Sequence, residues 1–279
     1  MRPGNDVPGR IRRRPGGVAL NIALALVQHG QPAILIGTMG DDAEGDSLIA
    51  ELTAAGIDCS HILRTEDPTD HYLAIETPDG EVFGAIADCA SLEKAGDAIL
   101  APLRNGALAQ NGTWCGPVVI DGNLPVPVLE TLATHEDFAN ARLSFVPASP
   151  GKAERLRVAL QTRNGTLFVN RTEAEILTGR PLSDAAEAAH ALRTLGAHRA
   201  VVTDGPRMAA LCDAREVLRA TPPRVSATTT TGAGDVFLAT FIAAELANDP
   251  HTDASGETAR AILQAAADAA AAHVTKATS

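Results

Sequence analysis

The chain has 279 residues, of which 45% are hydrophobic and 20% charged, and carries a formal net charge of −11. That balance describes a folded globular chain and not a disordered one, and its acidity excludes the basic face of a nucleic-acid binder. Aromatic residues make up 3%, too few for a protein that stacks bases on aromatic side chains.

Met1 to Pro15 is rich in Pro, Gly and Arg, with a basic cluster at Arg10, Arg12, Arg13 and Arg14. It reads as a solvated lead-in and offers no apolar strand. Gly16-Gly17 then opens a helix that runs to Gly30, a good stop signal. Pro32 to Thr38 reads as a buried strand. A helix over about 43–55 follows Gly40-Asp41-Asp42, and Gly56 closes it. His71 to Glu76 and Val82 to Ala87 flank Pro78-Asp79-Gly80, a hairpin signal. This antiparallel insert, about 61–88, reads as a small lid.

From Gly116 onward strands and helices alternate. Strands are expected at 118–121, 143–146, 166–169 and 200–203. Helices are expected after Asp121 through Leu132, around 153–160, 173–177 and 184–195, and in the Ala-rich tail 259–272. Such alternation implies an α/β fold with a mostly parallel sheet and helices on both faces. Ligands collect at the carboxyl ends of the strands in such sheets. Asp41, Asp121, Asn123, Asn170, Thr203 and Asp204 follow strands and are the polar residues to inspect.

Thr230-Thr231-Gly232-Ala233-Gly234-Asp235 places a small-residue turn before an apolar helix. The first turn of a helix has backbone N–H groups with no partner inside the helix. Those donors and the helix dipole favour anions, phosphate above all. An Asp beside bound phosphate is repelled by it. Its presence is explained economically if Asp235 takes a proton from an attacking hydroxyl. Taken alone, the turn reads as readily as a helix cap. A dinucleotide fingerprint fits poorly, because its third glycine would fall on Phe237. No G-x-x-x-x-G-K-[ST] stretch supports a P-loop.

Cys59, Cys89, Cys115 and Cys212 are far apart and form no C-x-x-C pair. Neither thiolate metal ligation nor a disulfide framework is expected, and reduced thiols suit a cytoplasmic chain. No signal peptide or bilayer-spanning run is present, so no membrane partner is expected.

Four separated segments set the turn in context: Pro15-Gly16-Gly17-Val18-Ala19-Leu20-Asn21 with Gly40-Asp41-Asp42-Ala43-Glu44-Gly45, Asn170-Arg171-Thr172-Glu173, Val201-Val202-Thr203-Asp204-Gly205, and Thr230 to Asp235. Their order and spacing resemble the ribokinase-like, or PfkB-type, carbohydrate kinases over nearly the whole chain. Asp121-Gly122-Asn123-Leu124-Pro125, Pro147-Ala148-Ser149 and Lys152-Ala153-Glu154-Arg155-Leu156 look closest to pseudouridine kinases. The resemblance implies a single kinase domain over 1–279, a phosphotransferase that moves the γ-phosphate of ATP to a ribosyl primary hydroxyl. Other sugar kinases of the family, or a catalytically weak nucleotide-binding protein, are the alternatives.

By that resemblance Asp235 is the general base, and the amides of Gly232, Ala233 and Gly234 form the anion hole. Gly16, Gly17 and Asn21 contact the sugar or nucleoside. Asn170, Thr203 and Gly205 contact ATP, and Asn170 with Glu173 holds Mg2+. Asp41 and Asp88 are further candidate sugar contacts. Each assignment has a plainer reading: a close helix–strand contact at Gly16-Gly17, and a capping pair at Asn170 and Glu173. A homodimer through the lid is also implied.

The chain departs from the family pattern in places. Thr229 stands where an acidic residue is usual, which speaks against monovalent-cation activation. Met208 replaces a common glycine, and Val146 a common Asp. The family strand that precedes the Gly-Gly segment, with its sugar-gripping Asp, has no counterpart in Met1 to Pro15, so a first strand is expected to be missing.

Overall fold

The computed structural model describes residues 11–76, 82–105, 107–108, 114–228, 230–248 and 256–275. The expected Pro78-Asp79-Gly80 turn, Arg10 and Thr229 lie outside them.

Helix α1 (Val18–Gln28) starts at Gly17, whose φ of +126° suits glycine alone. The strand expected over 32–38 is divided into β1 (Ala33–Ile34) and β2 (Thr38–Gly40). Helix α2 (Ala43–Ala54) leads to β3 (Ile57–Asp58) and β4 (Leu63–Thr65), which pair in parallel with β1 and β2 respectively. Leu35 N still donates to Asp58 O (2.9 Å) and Leu63 N to Gly37 O (2.8 Å). Between them residues 59–62 face the shorter stretch 35–37, and this extra residue breaks the ladder as a bulge does.

The Gly40-to-Gly45 segment is a device of the fold. Asp42 caps α2, accepting from Gly45 N (2.7 Å), Thr69 N (2.8 Å) and Thr69 Oγ1 (2.8 Å). These bonds, the one from Thr69 N foremost, lower its pKa to about 2. A Cβ on Gly40 would lie 2.4 Å from Thr69 N, and one on Gly45 would lie 2.4 Å from Gly40 O. Only glycine allows the two backbones so close.

β5 (His71–Glu76) and β6 (Val82–Asp88) form an antiparallel pair that is a sheet of its own. Its root is knotted by hydroxyls. Ser91 Oγ donates to Asp70 Oδ2 (2.7 Å), which leaves Thr38 Oγ1 to donate to Ser91 Oγ (2.6 Å). Tyr72, Leu73, Phe83 and Ile86 on this hairpin are exposed.

Short helices α3 (Ser91–Ala95) and α4 (Ala101–Arg104) lead to the main body: β7 (Pro117–Asp121), α5 (Val126–Thr134), β8 (Arg142–Val146), β9 (Gly165–Asn170), α6 (Arg171–Thr178), α7 (Ala185–Thr194), β10 (Arg199–Thr203), β11 (Ala209–Cys212), β12 (Val217–Ala220), α8 (Ala233–Ala247) and α9 (Gly256–Val274). The helix expected around 153–160 is a 3-10 helix over Pro150–Gln161. Ala153, Leu156 and Ala159 are its fully buried residues at every third position, which suits three residues per turn.

The six-stranded sheet has the order β12-β11-β10-β9-β8-β7. β7 to β10 are parallel, and β11 and β12 run antiparallel at one edge. Side chains alternate between two cores, as a strand requires. Leu167, Val169, Ala200 and Val202 face a core closed by α5, α6 and α7. Phe168, Val201, Leu211 and Leu218 face another closed by α1, α8 and α9. Helices thus cover both faces of a mostly parallel sheet. Among the described residues the sheet ends at β7, and no strand precedes α1.

Candidate active site

β7 to β10 are parallel, so their carboxyl ends lie along one edge. Asp121 pairs in register with Val146, and Asn170 with Thr203. α8 enters this edge through Thr230-Thr231-Gly232. Gly232 sits at φ +79°, a left-handed position that favours glycine. Ala233 N makes only a long contact with Thr230 O (3.4 Å), and Val236 N closes the first turn on Gly232 O (3.0 Å). Asp235 stands in that first turn, where the helix dipole favours a carboxylate.

Asn21 of α1 reaches Asp235 directly, its Nδ2 donating to Oδ2 at 2.8 Å. Burial pushes the Asp235 carboxyl above the usual carboxylate range, and the charge of Asp121 adds to this. The bond from Asn21 and the charge of His273 oppose it. A carboxyl with raised proton affinity, held by one fixed donor, is suited to take a proton from a hydroxyl.

Gly16 and Gly17 lie just ahead of Asn21 and are exposed, and a Cβ on either would meet nothing within 4 Å. A close helix–strand contact therefore does not account for them. Gly17 is needed for its backbone angle, and both leave the mouth of α1 open.

Sequence reasoning marked Asp121 and Asn123 as polar residues at a strand end, within a segment that resembles pseudouridine kinases, and gave neither of them a role. Asp121 accepts from Ala19 N (3.3 Å) at the start of α1 and from Asn123 N (2.9 Å) and Nδ2 (3.1 Å). Lys152 Nζ donates to Asn123 Oδ1 (2.6 Å). This relay fixes the amino end of α1, and so Asn21, to the end of β7. His273 was passed over altogether, because a polar residue in an alanine-rich tail carries no pattern.

Asn170 and Glu173 form a reciprocal cap on α6: Glu173 N donates to Asn170 Oδ1 (2.9 Å), and Asn170 N to Glu173 Oε2 (2.8 Å). The capping reading is thus real. Glu173 is also 6% exposed, and burial raises its pKa. Among the described residues no cationic side chain pairs with it. A buried carboxylate in that state, next to an amide oxygen, has the hard oxygen donors that fit Mg2+.

Thr203 and Gly205 lie at the end of β10. Gly205 has φ +54° and open space around its Cα. Asp204 between them is turned to the protein. It accepts from Arg207 Nε (2.7 Å) and Arg171 Nε (3.1 Å), which hold its carboxyl below the usual range, Arg207 first. Asp204 N donates to Met208 O (2.9 Å), which tightens the turn. Asp41 is bound to Arg64 (3.3 Å) beside α2. Asp88 ends β6 of the antiparallel hairpin. Among the described residues no helix is long and apolar enough to cross a membrane.

A family model described as pfkB family carbohydrate kinase matches residues 3–279. The chain is similar to the pseudouridine kinase of Escherichia coli K12, with 31% identity over 240 residues, 83% of this chain and 73% of that one. It is similar to the 1-phosphofructokinase of Xanthomonas campestris pv. campestris, with 30% identity over 251 residues, 85% and 75% of the two chains. Among solved structures, a carbohydrate kinase from Agrobacterium tumefaciens superposes with a TM-score of 0.79 at 26% identity, covering 99% of this chain and 85% of that one. A putative ribokinase II from E. coli, in complex with ATP and Mg2+, superposes with a TM-score of 0.72 at 22% identity over 98% and 86%, a likeness of fold.

Proposed function

The chain belongs to the pfkB family of carbohydrate kinases, a phosphotransferase family, and on that premise we propose that it transfers the γ-phosphate of ATP to the primary hydroxyl of a ribosyl compound, pseudouridine foremost. The observation that carries this reading is the Asn21–Asp235 contact at the mouth of α8. It sets a base of raised proton affinity beside a glycine-lined helix start.

The residues divide the work. Gly16, Gly17 and Asn21 receive the sugar at the open mouth of α1. Asp235 takes the proton of the acceptor hydroxyl as its oxygen bonds to the γ-phosphorus. The bond from that phosphorus to the bridging oxygen breaks, and ADP leaves. The amides of Gly232, Ala233 and Gly234 stabilise the charge on the phosphoryl oxygens in transit. Thr203 and Gly205, with Asn170, lie along the nucleotide. Asn170 and Glu173 would hold Mg2+, which neutralises phosphate charge when bound. Positioning and charge neutralisation are most of what phosphoryl transfer asks of a protein.

Pseudouridine is favoured by the resemblance of Asp121 to Pro125, Pro147 to Ser149 and Lys152 to Leu156 to pseudouridine kinases, and within these segments Asp121, Asn123 and Lys152 form the relay that anchors α1. Relatives that act on different sugars stand at nearly the same identity, so a panel of nucleosides and sugars decides the acceptor. We expect ATP-dependent phosphorylation of pseudouridine, and an Asp235→Asn variant that folds but turns over ~10²–10⁴ times more slowly. Parent-like turnover in that variant would remove Asp235 as the base.

A second reading has its own observation. Gly16 and Gly17 are exposed, and a Cβ on either would face open space. A sugar site open on that side suits a catalytically weak nucleotide-binding protein. Calorimetry separates the two, since ATP–Mg2+ binding with no nucleoside binding supports the second. The kinase is read as one domain over 1–279 with the lid at about 61–88, working in the cytoplasm without nucleic-acid or membrane partners, and as a homodimer joined through the exposed lid hairpin.

A further inference from the structure

Two contacts tie the last turn of α9 to the segment that leads into α8. Thr228 N and Thr228 Oγ1 both donate to Val274 O, at 2.8 and 3.2 Å. One residue earlier on α9, His273 Nε2 lies 3.0 Å from Thr231 O. A carbonyl oxygen carries no proton, so the ring nitrogen is the donor, as the Nε2–H tautomer or as imidazolium. The same ring packs against Gly232, where a Cβ would lie 3.3 Å from Nε2. The left-handed glycine therefore also makes room for the imidazole.

Thr231 C=O and Gly232 N–H belong to one peptide group. That group is planar and trans, so its carbonyl and its N–H point in opposite directions. Whatever holds the carbonyl aims the amide. We propose that His273 is a positioning residue for the phosphate-binding turn: by holding Thr231 O on the α9 side, it directs Gly232 N–H away from α9 and into the site. This rests on the reading of that turn as the phosphoryl grip. The grip is then held from two flanks, with Asn21 of α1 on the Asp235 side chain and His273 of α9 on the backbone three to four residues earlier. The charge of His273 also favours the ionised form of Asp235.

The test uses the full chain as wild type, His273→Ala and His273→Gln. The Gln side-chain nitrogen stands as many bonds from Cα as the imidazole Nε2, and it can donate to the same carbonyl. Steady-state phosphorylation of the acceptor that the wild type uses best is measured, with thermal unfolding as a control on folding. His273→Ala should lower kcat about 10- to 100-fold, the cost of a small misplacement of catalytic groups. The acceptor KM should change little, because Gly16, Gly17 and Asn21 are untouched. His273→Gln should restore most of the loss. Wild-type kcat in the Ala variant, or equal losses in Ala and Gln, overturns the proposal and leaves the kinase reading standing. A wild type that phosphorylates no acceptor fails the kinase reading instead. The carbonyl 13C resonance of Thr231 then decides the contact: an upfield move in Ala relative to wild type, with Gln close to wild type, supports it, and the same position in all three overturns it.

Discussion

Asp235 is useful because its surroundings disagree about its charge. Burial and the charge of Asp121 hold its proton, while Asn21 and His273 favour the carboxylate. A general base works only when ionised, so activity should rise with pH through the Asp235 pKa, which lies above the ordinary 3.8. Asn21→Ala removes a stabiliser of the carboxylate, and the acid limb of kcat/KM should move to higher pH. Asp121→Asn removes a repelling charge, and the limb should move to lower pH. A pH–rate profile of the three proteins checks both signs, and shifts in the reverse sense would mean that another group sets the limb. The sequence made Asp235 legible through its glycines, but not its partner. Asn21 lies 214 positions away, and no local pattern records a contact across that distance. Glu173 was legible as a capping residue, and the reciprocal bonds with Asn170 are there; its proposed part in holding Mg2+ is spelled with the same letters.

Elements were legible where one periodicity dominated. α2, the lid strands and β7 to β10 fall within a residue or two of expectation, because apolar runs and flanking glycines mark them. β11 and β12 were missed. Ala209-Ala210-Leu211-Cys212 is buried on both faces, so it lacks the alternation that betrays a half-exposed strand. The strand expected over Pro32 to Thr38 is present, but its division into β1 and β2 was missed because the extra residue that breaks it lies on its partner. The Gly40-to-Gly45 segment shows how an apparent site sequence can serve folding. Gly45→Ala would drive a methyl against Gly40 O, a backbone atom that cannot swing aside. We expect a loss of about 1–3 kcal/mol from overpacking, read as a lowered denaturant midpoint. A midpoint equal to the parent's would mean that the two backbones can part freely.

At the scale of the molecule, the sheet carries a core on each face, and the hairpin stands apart from both. Leu73 and Ile86 are direct cross-strand partners on one face of the hairpin, Tyr72 lies on the other, and all three are exposed. Apolar side chains on both faces of a two-stranded sheet call for a cover, and a second hairpin of the same kind supplies one. Leu73→Lys should therefore shift the protein from dimer to monomer in sedimentation velocity. A monomeric parent would sink the pairing. The general α/β plan was readable from alternating strands and helices, but the division of labour between the two cores was not. One core draws on the chain from Ile99 to Cys212. The other joins α1, which precedes the six-stranded sheet in sequence, to α8 and α9, which follow it. Synthesis therefore imposes an order on function. A nascent chain can emerge from the ribosome with its six strands already made and still be inert, α1 waiting for α8, which is translated after all of them.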